Sequence, residues 1–491
     1  MFKTQTDLLI DKKTHGGKIF CGEWLTPQGG TAPVTDKASG DTLFETGIAN
    51  AEDVDHAVQM AQAAQKDWSA QPATVRGDII RQFARQVEQH ADELREWIVR
   101  ETGSIPPKGD FEIFTTVREA LEVAGLAGRP VGEILASSSG RTSYARRIPV
   151  GVVGVITPWN SPFILAARVI LPALVLGNAV ILKPDLQTPV CGGHLVARLF
   201  ELAGLPRGLL HVVPGGPDTG EALVAHPGTG MISFTGSTAV GRRIGEVTGR
   251  MLKRAALELG GNNALIVLDD ADLDKVSSAA AFGSFFHQGQ ICFTAGRHLV
   301  HERIAQAYTE RLAGRASALH SGNPHLAQVH LGPMINRKQV DRAQALLQRS
   351  IDQGARLESG GGIDGLYFQP TVLSGVTPDM DVFKDEIFAP VAPITTFRTD
   401  EEAIDLANRT EYGLVASIFS GSQSRAMHMA SRMKTGIVHI NDQTVNHDVF
   451  GAIGGMGASG NGARSGNVTS LDEYTHWQWI TVGDDVPPYP F

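Results

Sequence analysis

Cys292 stands in the run His287-Gln288-Gly289-Gln290-Ile291-Cys292, with Phe293-Thr294-Ala295-Gly296-Arg297 after it. An isolated cysteine is more often a small core residue, and Cys21 and Cys191 read that way. Around Cys292 the polar, glycine-containing text favours a nucleophile. A free thiol titrates near ~8.5, so such a site has to help it ionise. Upstream, Glu258 closes the apolar run Ala255-Ala256-Leu257 and precedes Gly260 and Gly261. It is either a partnered buried acid or a general base. A soft nucleophile together with a carboxylate that activates water is what forming and then hydrolysing a thioester requires. Asn160, in the run TPWNSP (157–162), offers an amide that donates to a tetrahedral oxyanion together with the Cys292 backbone N–H. Its other reading is a turn asparagine before a helix.

A second kind of chemistry lies between these residues. Phe234-Thr235-Gly236-Ser237-Thr238-Ala239-Val240-Gly241 closes a strand and opens a helix, so its amides and positive helix end face an anion such as a pyrophosphate. The spacing is GxxxxG rather than GxGxxG, which an ordinary strand-to-helix turn also satisfies. Lys183 ends another expected strand, where it reaches a cofactor ribose or phosphate, or is simply a solvated lysine.

The elements that position these residues follow from the apolar pattern. A helix starts near Ala51 with Asn50 as N-cap and Glu52 and Asp53 in its first turn. A second runs from about 74 to 102 and stops at Gly103. From Pro149 onward, continuous apolar strands (151–157, 179–183, 209–213, 231–234) alternate with helices (163–176, 190–203, 217–225, 238–249). That alternation predicts a parallel sheet covered on both faces. A second α/β series fills about 260–440. The segment 126–148, containing Ser139, Gly140, Arg141 and Arg146, reads as an arm, and so does the strand-like WQWITV tail. Protruding edges of this kind pair across a subunit interface.

A chain of 491 residues is too long for one core and predicts two or three domains. With 42% hydrophobic and 19% charged residues it is of the soluble globular class. A net charge of −9 without a basic run argues against a nucleic-acid partner. Three scattered cysteines support neither a disulfide framework nor a metal site, and fit a reducing compartment. The N-terminal text lacks a signal-length apolar segment, and 170–182, its apolar run broken by Pro172, Gly177 and Asn178, is too short to span a membrane. A cytoplasmic protein without membrane association is expected.

Taken together, TPWNSP (157–162), ILKP (181–184), FTGSTAVG (234–241), LELGGNN (257–263), GQIC (289–292), EIFAPV (386–391) and GGMGASG (454–460) resemble the NAD(P)-dependent aldehyde dehydrogenases from end to end. The resemblance implies an α/β fold with a Rossmann-type parallel-sheet cofactor domain (1–125 and 149–257), an α/β catalytic domain (258–450) and a β oligomerisation arm (126–148 and 470–491). It implies Cys292 as nucleophile, Asn160 as oxyanion donor and Glu258 as the base that activates water. Cofactor contacts would come from Trp159, Lys183, Gly216, Phe234, Thr235, Gly236, Ser237, Gly241, Glu386 and Phe388, with no metal. Leu186 stands where the family often has a ribose-gripping Glu, so NAD is expected and NADP stays open, with neighbouring Asp185 as a partial substitute. VHINDQTVN (438–446) and HQGQIC (287–292) resemble the aromatic-aldehyde branch, foremost the benzaldehyde dehydrogenases of toluene and xylene breakdown. Phe163, Ile164, Ile291, Phe293 and Phe450 would line a ring-sized tunnel, or are plain core. Arg168, two turns beyond Asn160, either forms a structural ion pair or borders that tunnel. The expected protein is a homodimer or homotetramer. Alternatives are a salicylaldehyde- or vanillin-type enzyme and a CoA-acylating enzyme, which Glu258 argues against.

Overall fold

In the computed structural model, which describes residues 8–466 and 469–491, the strands Val152–Ile156, Ala179–Lys183, Leu210–Val212, Met231–Thr235 and Arg254–Glu258 lie parallel in one sheet. Residues 1–7, part of the N-terminal text read as free of a signal, lie outside the described residues. Ile19–Cys21 and Trp24–Leu25 extend one edge antiparallel. Val152–Ile156 sits between Ala179–Lys183 and Met231–Thr235, so the winding direction reverses beside it. In doubly wound sheets the crevice beyond the strand ends at such a reversal takes the ligand. The residues 157–160 and 235–238 leave the sheet at that point.

The second sheet has the order Arg356–Ser359, Thr371–Ser374, Val391–Phe397, Arg297–His301, Ala264–Val267, Val415–Phe419, Ile437–Ile440, parallel apart from its first pair. Along Ala264–Val267 the side chains alternate between two cores. Ile266 packs with Leu299 and Phe383 on one face, Leu265 and Val267 with Val300 and Tyr308 on the other, as the two-residue period of a strand requires. A third sheet joins Gly132–Leu135, Thr142–Pro149 and Thr475–Val482, the last two paired along their whole length. No helix among the described residues is long and apolar enough to cross a membrane.

The helices expected from the pattern form, with two differences. Asn50 caps Ala51–Ala70 in a reciprocal box with Asp53. The stretch expected as one helix over 74–102 divides into Ala73–Gln89 and Ala91–Thr102, because His90 leaves helical geometry (φ −111°, ψ 19°). Nothing in the residue types marks that break. The helix expected over 190–203 opens with a wide turn, Val190–His194, before Leu195–Leu202. Its first amides, Val190 and Cys191, donate to the buried Glu101 carboxylate at 3.0 and 2.5 Å.

The two large sheets meet through opposite ends. The first presents C-terminal ends, at Thr235 and Glu258. The second presents N-terminal ends: Gly261 precedes Ala264–Val267, Cys292 precedes Arg297–His301, and Glu386 precedes Val391–Phe397. The chain after 450 stitches the junction, with Leu259 N–H donating to the Ser459 carbonyl at 2.9 Å and Glu258 bridged to Gly460.

Candidate active site

At the junction lies a cavity of about 300 Å³ lined by Trp159, Asn160, Leu165, Thr235, Gly236, Ser237, Leu259, Gly260, Gln339, Arg342, Cys292, Glu386 and Phe388, with Pro158 at its rim. One wall is the start of the helix Thr238–Arg250. Its N-cap residue, Ser237, makes no side-chain cap bond, so the first-turn amides keep their donors for a ligand. A Cβ on Gly236 would stand 2.4 Å from the Phe234 ring, and one on Gly241 2.3 Å from Leu259. Glycine is what lets strand, turn and helix close this tightly. Those free amides, in a crevice where the sheet reverses, fit the pyrophosphate of a dinucleotide. Lys183, nearly buried, lies along Gly220 of the neighbouring helix Pro217–Ala225, whose N-cap is Gly216.

The loop bearing Cys292 is held from several sides. His287 and Gln288 both take positive φ (50° and 55°), strain that such a segment keeps only when its surroundings over-determine it. Gln288 Nε2 donates to the Gly103 and Pro333 carbonyls at 2.8 and 2.6 Å, and the Ile335 N–H donates to Gln290 Oε1 at 3.1 Å. Asn263 Nδ2 donates to the Cys292 and Thr294 carbonyls at 2.7 and 2.8 Å. Asn160 Nδ2 donates to the Gln290 carbonyl at 2.9 Å, leaving its second hydrogen for another acceptor. Phe388 also has positive φ (58°) and meets Trp159 edge-on at 5.6 Å.

Burial dominates the electrostatics. It pushes the Cys292 thiol up to about 12; the Glu386 and Glu258 carboxylates add to that rise and Arg168 opposes it. It raises the Glu258 carboxyl from 4.5 to about 8, against the pull of Arg168 and Arg464 and with help from Glu473. Glu258 Oε1 is buried without a hydrogen-bond partner. Glu386 is raised to about 7, again by burial, while the Gly261 N–H donates to it at 2.9 Å and lowers it. With a carboxyl near 8 and a thiol near 12, Glu258 ionises well before Cys292 as pH rises, so between the two the carboxylate is the base present at ordinary pH.

Of the expected residues, Trp159, Asn160, Thr235, Gly236, Ser237, Cys292, Glu386 and Phe388 share the cavity wall, with Phe234 and Gly241 packed behind it and Glu258 against Gly236 N–H through its carbonyl (3.0 Å). Ile291 and Phe293 join Phe286, Leu414, Val445 and Ile453 in the apolar cluster beside Cys292. Phe163 does not belong to a tunnel. It is fully buried in the core of the first sheet with Ala166, Ala167 and Ile170. Two residues on, about 200° around the helix, Leu165 lines the cavity instead. Ile164 is buried outside that core. Phe450 is 53% exposed on a surface turn and is absent from the cavity wall. Asp185 accepts the Gln187 N–H on one oxygen at 2.8 Å, and its second oxygen remains an acceptor. Arg168 pairs with Glu119 (3.2 Å), and His447 approaches both.

Several contributors were not singled out from sequence. Phe111 meets Phe286 and His447 edge-on, each at 6.4 Å, and Phe286 stacks on Phe282 at 4.7 Å. The ladder leads from the half-exposed Phe282 toward the Cys292 cluster. Gln339 and Arg342 come from the helix Arg337–Asp352; Arg342 donates to the Glu386 carbonyl at 2.7 Å. Asn263, with Leu259 and Gly260 of the cavity wall, stood inside LELGGNN, and Gln290 inside GQIC.

The aldehyde dehydrogenase family pattern matches residues 24–480. A benzaldehyde dehydrogenase [NAD(+)] of Pseudomonas putida is 53% identical over 97% of this chain and 98% of its own length. A vanillin dehydrogenase of Amycolatopsis sp. is 49% identical over 98% and 99%. Among solved structures, a Staphylococcus aureus betaine aldehyde dehydrogenase in complex with NAD+ superposes with a TM-score of 0.95 at 29% identity, covering 99% of each chain.

Proposed function

The chain belongs to the aldehyde dehydrogenase family and is an enzyme of that class; from that premise we propose that it oxidises an aromatic aldehyde, benzaldehyde or a close relative, to the carboxylic acid with NAD. The observation that carries the reading is the single cavity shared by Cys292, Asn160, Glu386 and the uncapped helix start. Cys292 Sγ attacks the carbonyl carbon, and the thiol proton passes to the Glu258 carboxylate. The new oxyanion is held by the free Asn160 N–H and the Cys292 backbone N–H. Bound NAD would supply the hydride acceptor for the tetrahedral carbon, the chemistry that turns the Cys292 adduct into a thioester. Glu258, once it has released the thiol proton to solvent, takes a proton from water; the hydroxyl adds to the acyl carbon, the C–S bond breaks with a proton returning from Glu258 to Sγ, and the acid leaves. Trp159, Phe388 and Glu386 are assigned to the nicotinamide end, Thr235, Gly236, Ser237 and Gly241 to the pyrophosphate, Lys183 and Gly216 to the adenosine side.

Relatives named for benzaldehyde and vanillin support the ring, as do the aromatic and aliphatic side chains around Cys292. We assign 1–125 with 149–257 to the cofactor domain, 258–450 to the catalytic domain, and 126–148 with 470–491 to an arm. Ile134, 89% exposed on the strand Gly132–Leu135, supports a homodimer or homotetramer, since a bare apolar edge invites a second copy. Three free cysteines support a cytoplasmic location. The test is cofactor reduction with benzaldehyde, salicylaldehyde, vanillin and hexanal, each with NAD and NADP. Benzaldehyde with NAD is expected to give the highest kcat/KM. Faster turnover of hexanal would remove the substrate claim, and acyl-CoA formed on adding CoA would replace hydrolysis with acyl transfer.

A further inference from the structure

A buried ion pair holds the residue assigned to the oxyanion, and no step of the chemistry described so far uses it. Lys108 and Glu112 stand one turn apart on the helix Pro106–Ala124 and are 1% and 0% exposed. Lys108 Nζ donates to Glu112 Oε1 and, at 2.7 Å, to the backbone carbonyl of Asn160. Glu112 Oε2 accepts from the Phe163 and Ile164 N–H groups at 3.0 and 3.1 Å. Those two amides open the helix Pro162–Val175. Its N-cap, Ser161, makes no side-chain bond, so Glu112 supplies from a distant helix the cap this one lacks. Asn160 is thereby clamped at both ends, its carbonyl on Lys108 and its amide on the Gln290 carbonyl at 2.9 Å.

A desolvated ion pair is a poor device for stability alone, because apolar residues of similar volume often serve the fold equally well. What this pair does that they cannot is fix the peptide whose side chain points into the cavity. Oxyanion donors act only when already aimed, since reorientation during the reaction cancels their benefit. His287, held neutral by burial and by the Lys108 charge, leaves the lysine as the cation of this corner.

We propose that Lys108 and Glu112 are positioning residues that fix the Asn160 amide for the transition state of Cys292 acylation. The proposal rests on Asn160 being the oxyanion donor. It is tested with the full-length enzyme in a double-mutant cycle, read as the single-turnover rate of NADH formation with enzyme in excess of aldehyde, the same acylation step that gives the wild type its burst. Melting temperature, NAD Kd and iodoacetamide labelling of Cys292 are measured alongside. Lys108→Met is expected to slow the single-turnover rate by at least about tenfold and leave NAD Kd unchanged. In the Asn160→Ala background the same change is expected to cost less than about threefold, as for residues that act as a unit. Lys108→Arg, which keeps the positive charge and N–H donors for both partners, should restore most of the rate. Equal losses in both backgrounds, or a wild-type rate in Lys108→Met, overturn the positioning role alone. A wild-type rate in Asn160→Ala overturns the oxyanion reading itself, and the proposal with it. If Lys108→Met does not fold, Glu112→Gln, which keeps an acceptor for both helix amides but loosens the lysine, carries the same cycle with the same expected outcomes.

Discussion

Glu258 gives the sharpest pH test of the site. Burial raises its carboxyl to about 8, so roughly a tenth is ionised at pH 7 and roughly nine-tenths at pH 9. If deacylation limits turnover and needs the carboxylate, kcat rises about ninefold over that interval and levels above pH 9. An ordinary carboxyl at 4.5 would be fully ionised throughout and give a flat line. Arg168 and Arg464 favour the carboxylate and Glu473 disfavours it, so the midpoint reports the balance of burial against those three charges. The assay is kcat against pH at saturating aldehyde and NAD, with a salt-matched buffer series. Glu258→Gln should lower kcat, flatten the limb and let acyl-enzyme accumulate, visible as an NADH burst followed by slow turnover. A wild-type profile flat from pH 6 to 9 refutes the buried-base argument. A rising limb that persists unchanged in Glu258→Gln refutes the assignment of that limb to Glu258.

The same carboxyl bears on stability with the opposite sense. Its folded pKa lies above the unfolded one, so its contribution is complete below pH 4.5 and is lost as pH rises toward about 8; Glu258→Gln should therefore melt above wild type at pH 9, with the gap closing near pH 4.5 by scanning calorimetry. Asn263→Ala leaves the Cys292 and Thr294 carbonyls without their donor; a cost of about 2–4 kcal/mol should appear as a lower melting temperature and a slower burst with NAD Kd unchanged. Ile134→Lys places a charge on the exposed strand Gly132–Leu135; light scattering should show a smaller assembly, and an unchanged mass would remove this edge from the interface.

The parallel strands were legible because each is a continuous apolar run, and Cys292, Glu258 and Asn160 because glycines and prolines bracket them. The tunnel was less so. The helix Pro162–Val175 is apolar on every side, with all its residues buried except Arg168, so no periodicity chooses between Phe163 and Leu165 as the lining residue. Phe450 follows Val449 in an apolar pair, yet its turn points it to solvent. Lys108 and Glu112 have the i, i+4 spacing of an exposed helix pair, and it is tertiary packing, the start of the helix Pro162–Val175 included, that takes them out of water. Asn263 sat in view inside its motif, but its partners are carbonyls 29 and 31 residues further along the chain, a relation that spacing does not encode.

The raised thiol explains why so much structure is spent on Asn160. Cys292, pushed up to about 12, holds its proton more tightly than Glu258, at about 8, so transfer before attack is uphill. A free thiolate is therefore a minor species in this cleft. The charge need not rest on sulfur if the S–C bond forms as the proton leaves, because the negative charge then passes to the carbonyl oxygen. One well-aimed donor there contributes about 3–4 kcal/mol, which offsets part of that mismatch. Burial thus acts twice, raising the thiol and strengthening the donors that make its ionisation unnecessary. It follows that loosening Asn160 should slow formation of the thioester far more than its hydrolysis. In Asn160→Ala the NADH burst should vanish, leaving acylation to limit turnover, whereas Glu258→Gln should keep a burst. A burst of wild-type amplitude and rate in Asn160→Ala would place the developing charge elsewhere.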